Sequence, residues 1–240
     1  FTGATPNHGM PHRAAGSPLA FTGMTFTIYD LIYSGVCERF PGLKFVITEF
    51  ETGWIAMTLN RLDWNWFRGG GARTMPIPNK PSYYWKQNFL ATLEDDILGI
   101  RTRDVISVGS LMWGSDYPHH EGSTPFSREL LRRSFSDWTS AELDQVLTTT
   151  AAGLYGFDVP KLEQRAAAVG PTAAELRVPM VGVPKGATSA TSTRPMRKNG
   201  TVLPRMYSAG RIGVTMICSR VPASRSRTMA SLKTGCMSTT

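Results

Sequence analysis

The run Leu111-Met112-Trp113-Gly114-Ser115-Asp116-Tyr117-Pro118-His119-His120 brings a carboxylate and two imidazoles to the end of a short apolar stretch. The apolar residues suit a buried strand, the small pair Gly114-Ser115 closes it, and Pro118 keeps it from continuing. An aspartate presented in this way can take a proton from water or from substrate, as a general base does. The C-terminal lip of a buried strand is also where α/β barrels keep their chemistry. Asp and Pro are equally ordinary turn residues, so the run by itself also fits a plain strand-end turn. His119 could contact substrate, pass a proton or stand as a surface imidazole, and His120 reads as the last of these.

Two further strands end in acids. Leu43 to Thr48 is a run of β-branched and aromatic residues delivering Glu49 and Glu51, and Phe89 to Leu93 delivers Glu94, Asp95 and Asp96. Helices must join them. Ile28, Leu31, Ile32, Gly35 and Val36 recur at helical spacing, predicting one helix that Pro41-Gly42 stops, with Gly35 allowing close approach to a sheet. Ile55, Leu59, Leu62 and Trp66 mark a second helix ending before Gly69-Gly70-Gly71. A loop through Pro76, Pro78 and Pro81 leads to Tyr83-Tyr84-Trp85, and Ile97 to Arg103 suits a short helix. Thr124-Pro125 predicts a capped helix start, with Leu130, Leu131 and Phe135 on its buried side. Thr139-Ser140-Ala141-Glu142 has the spacing of a capping box, and Gly156 is the expected stop of that last helix. Strands alternating with helices argue for an α/β fold with a parallel sheet.

The charge divides the chain. Residues 1–159 hold 13 Lys/Arg against 16 Asp/Glu, whereas residues 160–240 hold 13 against 2, so the net +8 comes from the C-terminal part. From Val178 onward there are 10 basic residues and no acid. We therefore divide the chain into a folded region, 1–177, and a basic low-complexity tail, 178–240, expected to be disordered because it lacks sustained apolar periodicity. Such a tail could bind nucleic acid, but its Lys and Arg are scattered rather than set on one face, so a nucleic-acid partner is not expected. No apolar run reaches the length of a membrane span. The three cysteines, Cys37, Cys218 and Cys236, show no paired spacing, which points to a reducing, cytoplasmic setting.

The motifs taken together resemble one family. Gly35-Val36-Cys37-Glu38-Arg39-Phe40-Pro41-Gly42-Leu43-Lys44-Phe45-Val46, Gly53-Trp54, Leu59-Asn60-Arg61-Leu62-Asp63, Leu93-Glu94-Asp95-Asp96, the Trp113 to His119 run and Ala151-Ala152-Gly153-Leu154-Tyr155-Gly156-Phe157 occur in the order seen in amidohydrolase-related proteins. These are metal-dependent TIM-barrel enzymes, including decarboxylases similar to aminocarboxymuconate-semialdehyde decarboxylase. The resemblance covers about residues 20–180 and implies the C-terminal part of a (β/α)8 barrel. It places Asp116 at the end of the eighth strand, beside a divalent metal, usually zinc, where it orients or deprotonates the attacking water. It places Glu49 at the end of the sixth strand, where the decarboxylases carry a metal-binding histidine. Glu49 could replace that ligand, line the pocket or be a plain strand-end charge. Glu94, His119 and Trp113 are candidate substrate contacts. Tyr117, Trp54 and Trp85 could extend an aromatic wall, although core packing suits Trp54 and Trp85 better.

The departures bear on activity. Nothing in the chain supplies the family's first-strand His-x-His pair or its fifth-strand histidine, and His8 and His12 read as loop residues. A whole barrel takes about 250 residues, whereas residues 1–159 supply about three strand–helix units, so open strand edges are expected. The implied enzyme is a metal-dependent hydrolase or decarboxylase of a small carboxylic, aromatic or cyclic substrate, and this stretch alone is expected to be inactive. A homodimer is left open. The alternative is a non-catalytic binding module with a nucleic-acid-binding tail.

Overall fold

The computed structural model describes residues 20–119, 122–180 and 214–218. Helix α1 (Ala20–Tyr33) and the single turn α2 (Val36–Arg39) precede strand β1 (Leu43–Ile47). Helices α3 (Gly53–Arg68) and α4 (Pro81–Asn88) lead to β2 (Phe89–Leu93), and α5 (Ile97–Arg101) and α6 (Arg103–Ile106) lead to β3 (Leu111–Trp113). Beyond β3 come α7 (Ser127–Phe135), α8 (Ser140–Asp144), a π-helical turn, α9 (Thr150–Tyr155), α10 (Val159–Val169), α11 (Ala173–Leu176) and β4 (Val214–Cys218).

The sheet runs β3-β2-β1-β4. β1, β2 and β3 are parallel, with Val46 opposite Leu90 and Thr92 opposite Met112. The register puts Phe45, Ile47, Phe89, Ala91, Leu93 and Leu111 on one face. They join the main core with Ile28 and Ile32 of α1, Ile55 and Leu59 of α3, and Tyr84 and Trp85 of α4. Val46, Leu90 and Met112 occupy the other face, against Ala151 and Leu154 of α9. Burial on both faces is why these strands read as continuous apolar runs rather than alternating ones. Among the described residues no helix is long and apolar enough to cross a membrane. Cys37 is buried, and that burial pushes its thiol up to about 12.

Several boundaries differ from expectation. The first helix breaks at Gly35, whose φ of 73° is left-handed, and restarts as α2. Gly35 thus ends a helix instead of easing its approach to the sheet. Pro81 opens an unforeseen helix, α4, which buries Tyr84, Trp85 and Asn88; three adjacent aromatics masked its period. The Thr124-Pro125 bond is cis and α7 starts two residues later, so Thr124 is not its cap. The Thr139–Glu142 capping box is present, and Gly156 closes α9 at φ 70°.

One short stretch of the tail differs from expectation. Within the stretch expected to be disordered, Val214–Cys218 pairs antiparallel with β1. Val-Thr-Met-Ile-Cys is a short β-forming run, and β1 offers it an edge of unpaired main-chain groups. The edge of β1 expected to be open is therefore taken. Residues 181–213 and 219–240, like His8, His12 and His120, lie outside the described residues.

Candidate functional site

Two of the three parallel strands, β1 and β3, end in loops bent into the left-handed region. The non-glycine residues with positive φ among those described are Glu49 (64°), Glu51 (51°), Asp116 (51°) and Ser107 (83°). The first three lie just past the C-terminal ends of β1 and β3. A side-chain-bearing residue held in this region costs about 1 kcal/mol or more and persists only where its surroundings fix it.

Asp116 is fixed from several sides. Gly114 N–H donates to Leu93 O (3.0 Å), extending the β2–β3 pairing past the strand. Ser123 N–H donates to Ser115 O (3.0 Å) and folds the following loop back. His119 N–H donates to Asp116 O (2.7 Å), and its Nδ1 lies 2.6 Å from Asp116 Oδ2. The carboxylate and the imidazole thus form a short polar pair, with 27% of the Asp116 side chain and 43% of the His119 side chain exposed.

The other predicted residues occupy the same lip. Trp113 Nε1–H donates to Glu94 O (3.1 Å), joining the ends of β3 and β2. Glu94 is half-buried there. Glu49 is exposed, and its N–H donates to Thr92 Oγ1 (3.4 Å). β1 and β3 flank β2, so Glu49 and Asp116 stand on strands about 10 Å apart. The structure therefore brings together Asp116 with His119 and Trp113 with Glu94, and leaves Glu49 two strands from Asp116.

Three residues of the lip went unselected in the sequence. Glu51 accepts the main-chain N–H groups of Glu94 (3.1 Å) and Asp95 (3.4 Å). Burial of its carboxyl pushes it up to about 7 against the pull of those amides, with Asp96 and Asp95 adding to the rise. The residue as a whole is exposed, so water reaching it tempers that shift. Asp96 Oδ2 accepts Thr52 N–H (2.6 Å), Gly53 N–H (2.5 Å) and the Thr52 hydroxyl (3.0 Å), while its Oδ1 accepts Gly99 N–H (3.0 Å). It caps α5 and the start of α3 at once. Arg133 of α7 pairs with Asp95 at 3.0 Å; burial raises the Asp95 carboxyl and the guanidinium opposes the rise. The spacing of Asp96 to Gly99 is an N-cap signal legible in the sequence; the reach of Glu51 across to the next strand is not.

The match to the amidohydrolase family model covers residues 12–157. The chain belongs to the amidohydrolase family. No curated protein matches it. Among solved structures it is similar to 5-carboxyvanillate decarboxylase LigW from Sphingomonas paucimobilis, at 23% identity and a TM-score of 0.48. That match takes in 63% of this chain and 44% of LigW, so the chain spans less than half of that structure's length.

Among the described residues, no three His, Cys, Asp or Glu side chains stand where they could share an ion. Asp116 and His119 face each other, and Glu51 and Asp96 are turned to main-chain amides. Catalytic zinc takes about three protein ligands. The described residues alone do not fit one.

Proposed function

We propose that β1, β2 and β3 are the sixth, seventh and eighth strands of a (β/α)8 amidohydrolase barrel, and that Asp116 is its proton-transfer group. The reaction is hydrolysis or decarboxylation of a small carboxylic, aromatic or cyclic substrate. The observation that carries this is the Asp116–His119 pair, held on a left-handed turn at a strand's C-terminal end. In hydrolysis the Asp116 carboxylate takes the proton from the attacking water; in decarboxylation its acid form returns a proton to the carbon that loses CO2. His119, half-exposed at 2.6 Å, orients the carboxylate and passes the proton to solvent. The indole N–H of Trp113 is committed to Glu94 O, which leaves the ring as an apolar wall for substrate.

Zinc, which the family resemblance implies, belongs to this reading only with ligands beyond the described residues, because Glu49 stands two strands from Asp116. The test is turnover by the chain, alone and extended at its N-terminus, on a panel of benzoate-like and cyclic carboxylic substrates. Asp116→Asn lowers kcat by about 10²–10⁴-fold with KM little changed. An Asp116→Asn enzyme that keeps its kcat ends the proposal.

A further inference from the structure

The loops after β1 and β2 exchange carboxylates. Glu51, on the first, gives both oxygens to the N–H groups of Glu94 and Asp95 on the second. Asp96, on the second, gives Oδ2 to the N–H groups of Thr52 and Gly53 on the first. Each acid is thus held by the main chain that the other acid holds. The exchange continues to the third strand, because Glu94 O accepts the indole N–H of Trp113, three residues before Asp116.

We propose that Glu51 is a positioning residue, fixing the main chain of Glu94 and, through the Trp113 indole, the strand end that carries Asp116. Its own conformation fits that role. A left-handed φ of 51° is an unfavourable setting for glutamate, kept here by a carboxylate that reaches across to two amides of the neighbouring strand. Both its oxygens are turned to main-chain amides of the neighbouring strand, the arrangement of a group that positions its neighbours. Glu49, two residues earlier and exposed, is the acid of this loop left facing outward. Gly99 belongs to the same arrangement: a Cβ there would lie 1.9 Å from Thr52 Oγ1 and 2.5 Å from Asp96 Oδ2, so only glycine lets the two loops close. The inference rests on the proposed function only in naming Asp116 as the group being positioned.

The test is hydrogen exchange read by NMR on the chain as it stands, in Glu51→Ala and Glu51→Gln. The Trp113 indole N–H, assigned with Trp113→Phe, is the distant reporter. The Trp85 indole N–H, bonded to Ile106 O at 2.8 Å in the core, is the control for folding. Glu51→Ala speeds exchange at the Trp113 indole and at the Glu94 and Asp95 amides by about tenfold, with Trp85 unmoved. Glu51→Gln, which keeps one accepting oxygen, gives a smaller change at the same sites. A Trp113 signal that stays unchanged while Glu94 and Asp95 are freed overturns the proposal. So does loss of the Trp85 signal in both variants, which would make Glu51 a folding residue. The readout is independent of turnover, so either outcome leaves the Asp116 test to be decided separately.

Discussion

Behind the sheet, Trp85 stacks on Phe89 at 5.4 Å and 9°, Phe89 on Phe45 at 5.1 Å, and all three side chains are buried. At the C-terminal ends of the same strands the contacts are polar: carboxylate to amide, indole to carbonyl, guanidinium to carboxylate. The helix-covered face is held by apolar area, which is non-directional and shared among many neighbours. The lip is held by a few directional bonds and includes three non-glycine residues in the left-handed region. Loss of one apolar neighbour is spread over a face; loss of one carboxylate frees particular amides. A scaffold on one side and a held but strained constellation on the other is the division of labour expected of an enzyme.

The sharpest way to break this comparison is to cut each side at its best-connected residue. Trp85→Ala removes a fully buried ring and its bond to Ile106 O, and costs about 3–5 kcal/mol in urea unfolding. Asp96→Ala frees Thr52 N–H, Gly53 N–H and Gly99 N–H together. It costs about 2–3 kcal/mol, two caps' worth, with the loss of exchange protection concentrated in those two loops. A Trp85→Ala protein as stable as the parent, or an Asp96→Ala protein that loosens uniformly, would remove the distinction between the two regions.

The two regions also differed in how far the sequence disclosed them. Leu43–Ile47, Phe89–Leu93 and Leu111–Trp113 declared themselves because strands buried on both faces are continuous apolar runs. Thr139 and Glu142 declared a cap because its chemistry is local. α4 stayed hidden behind Tyr83-Tyr84-Trp85, a trio that suits a strand as well as a helix. At the lip, Asp116 and His119 are three residues apart and could be read together. Glu51 could not be told from Glu49, because what separates them is a partner more than 40 residues away on the next strand. β4 was illegible for the same reason: Val214–Cys218 has its pairing partner in β1, far back in the chain.

A smaller effect sharpens the comparison from outside both regions. The capping box of α8 is local and exposed, so Thr139→Ala costs about 1 kcal/mol and no more. The Thr139 main-chain N–H, helped by Arg103, holds the Glu142 carboxyl below its ordinary range. A carboxyl lowered in the folded state adds stability above its unfolded pKa, near 4.5, and that stability is lost as pH falls through the lowered value. Unfolding followed from pH 6 downward should therefore be less steep in Glu142→Gln than in the parent. Equal acid limbs would show that this cap adds nothing through its charge.

The smallest expected change in stability falls on the residue of greatest chemical interest. Asn tolerates the left-handed region as Asp does, and Asp116→Asn leaves the volume unchanged, so its unfolding free energy should move by no more than about 0.5 kcal/mol. Asp116→Ala keeps the φ of 51° without a polar side chain suited to it, and should cost about 1 kcal/mol more than Asn. The difference between the two variants measures what the turn spends on holding an aspartate there. If Asn proved as costly as Ala, the carboxylate's bond to His119 would be holding the loop together, and Asp116 would belong with Asp96 among the supports. A neutral Asn variant that has lost turnover places it with the chemistry, because a group kept for the fold does not leave without a trace in stability.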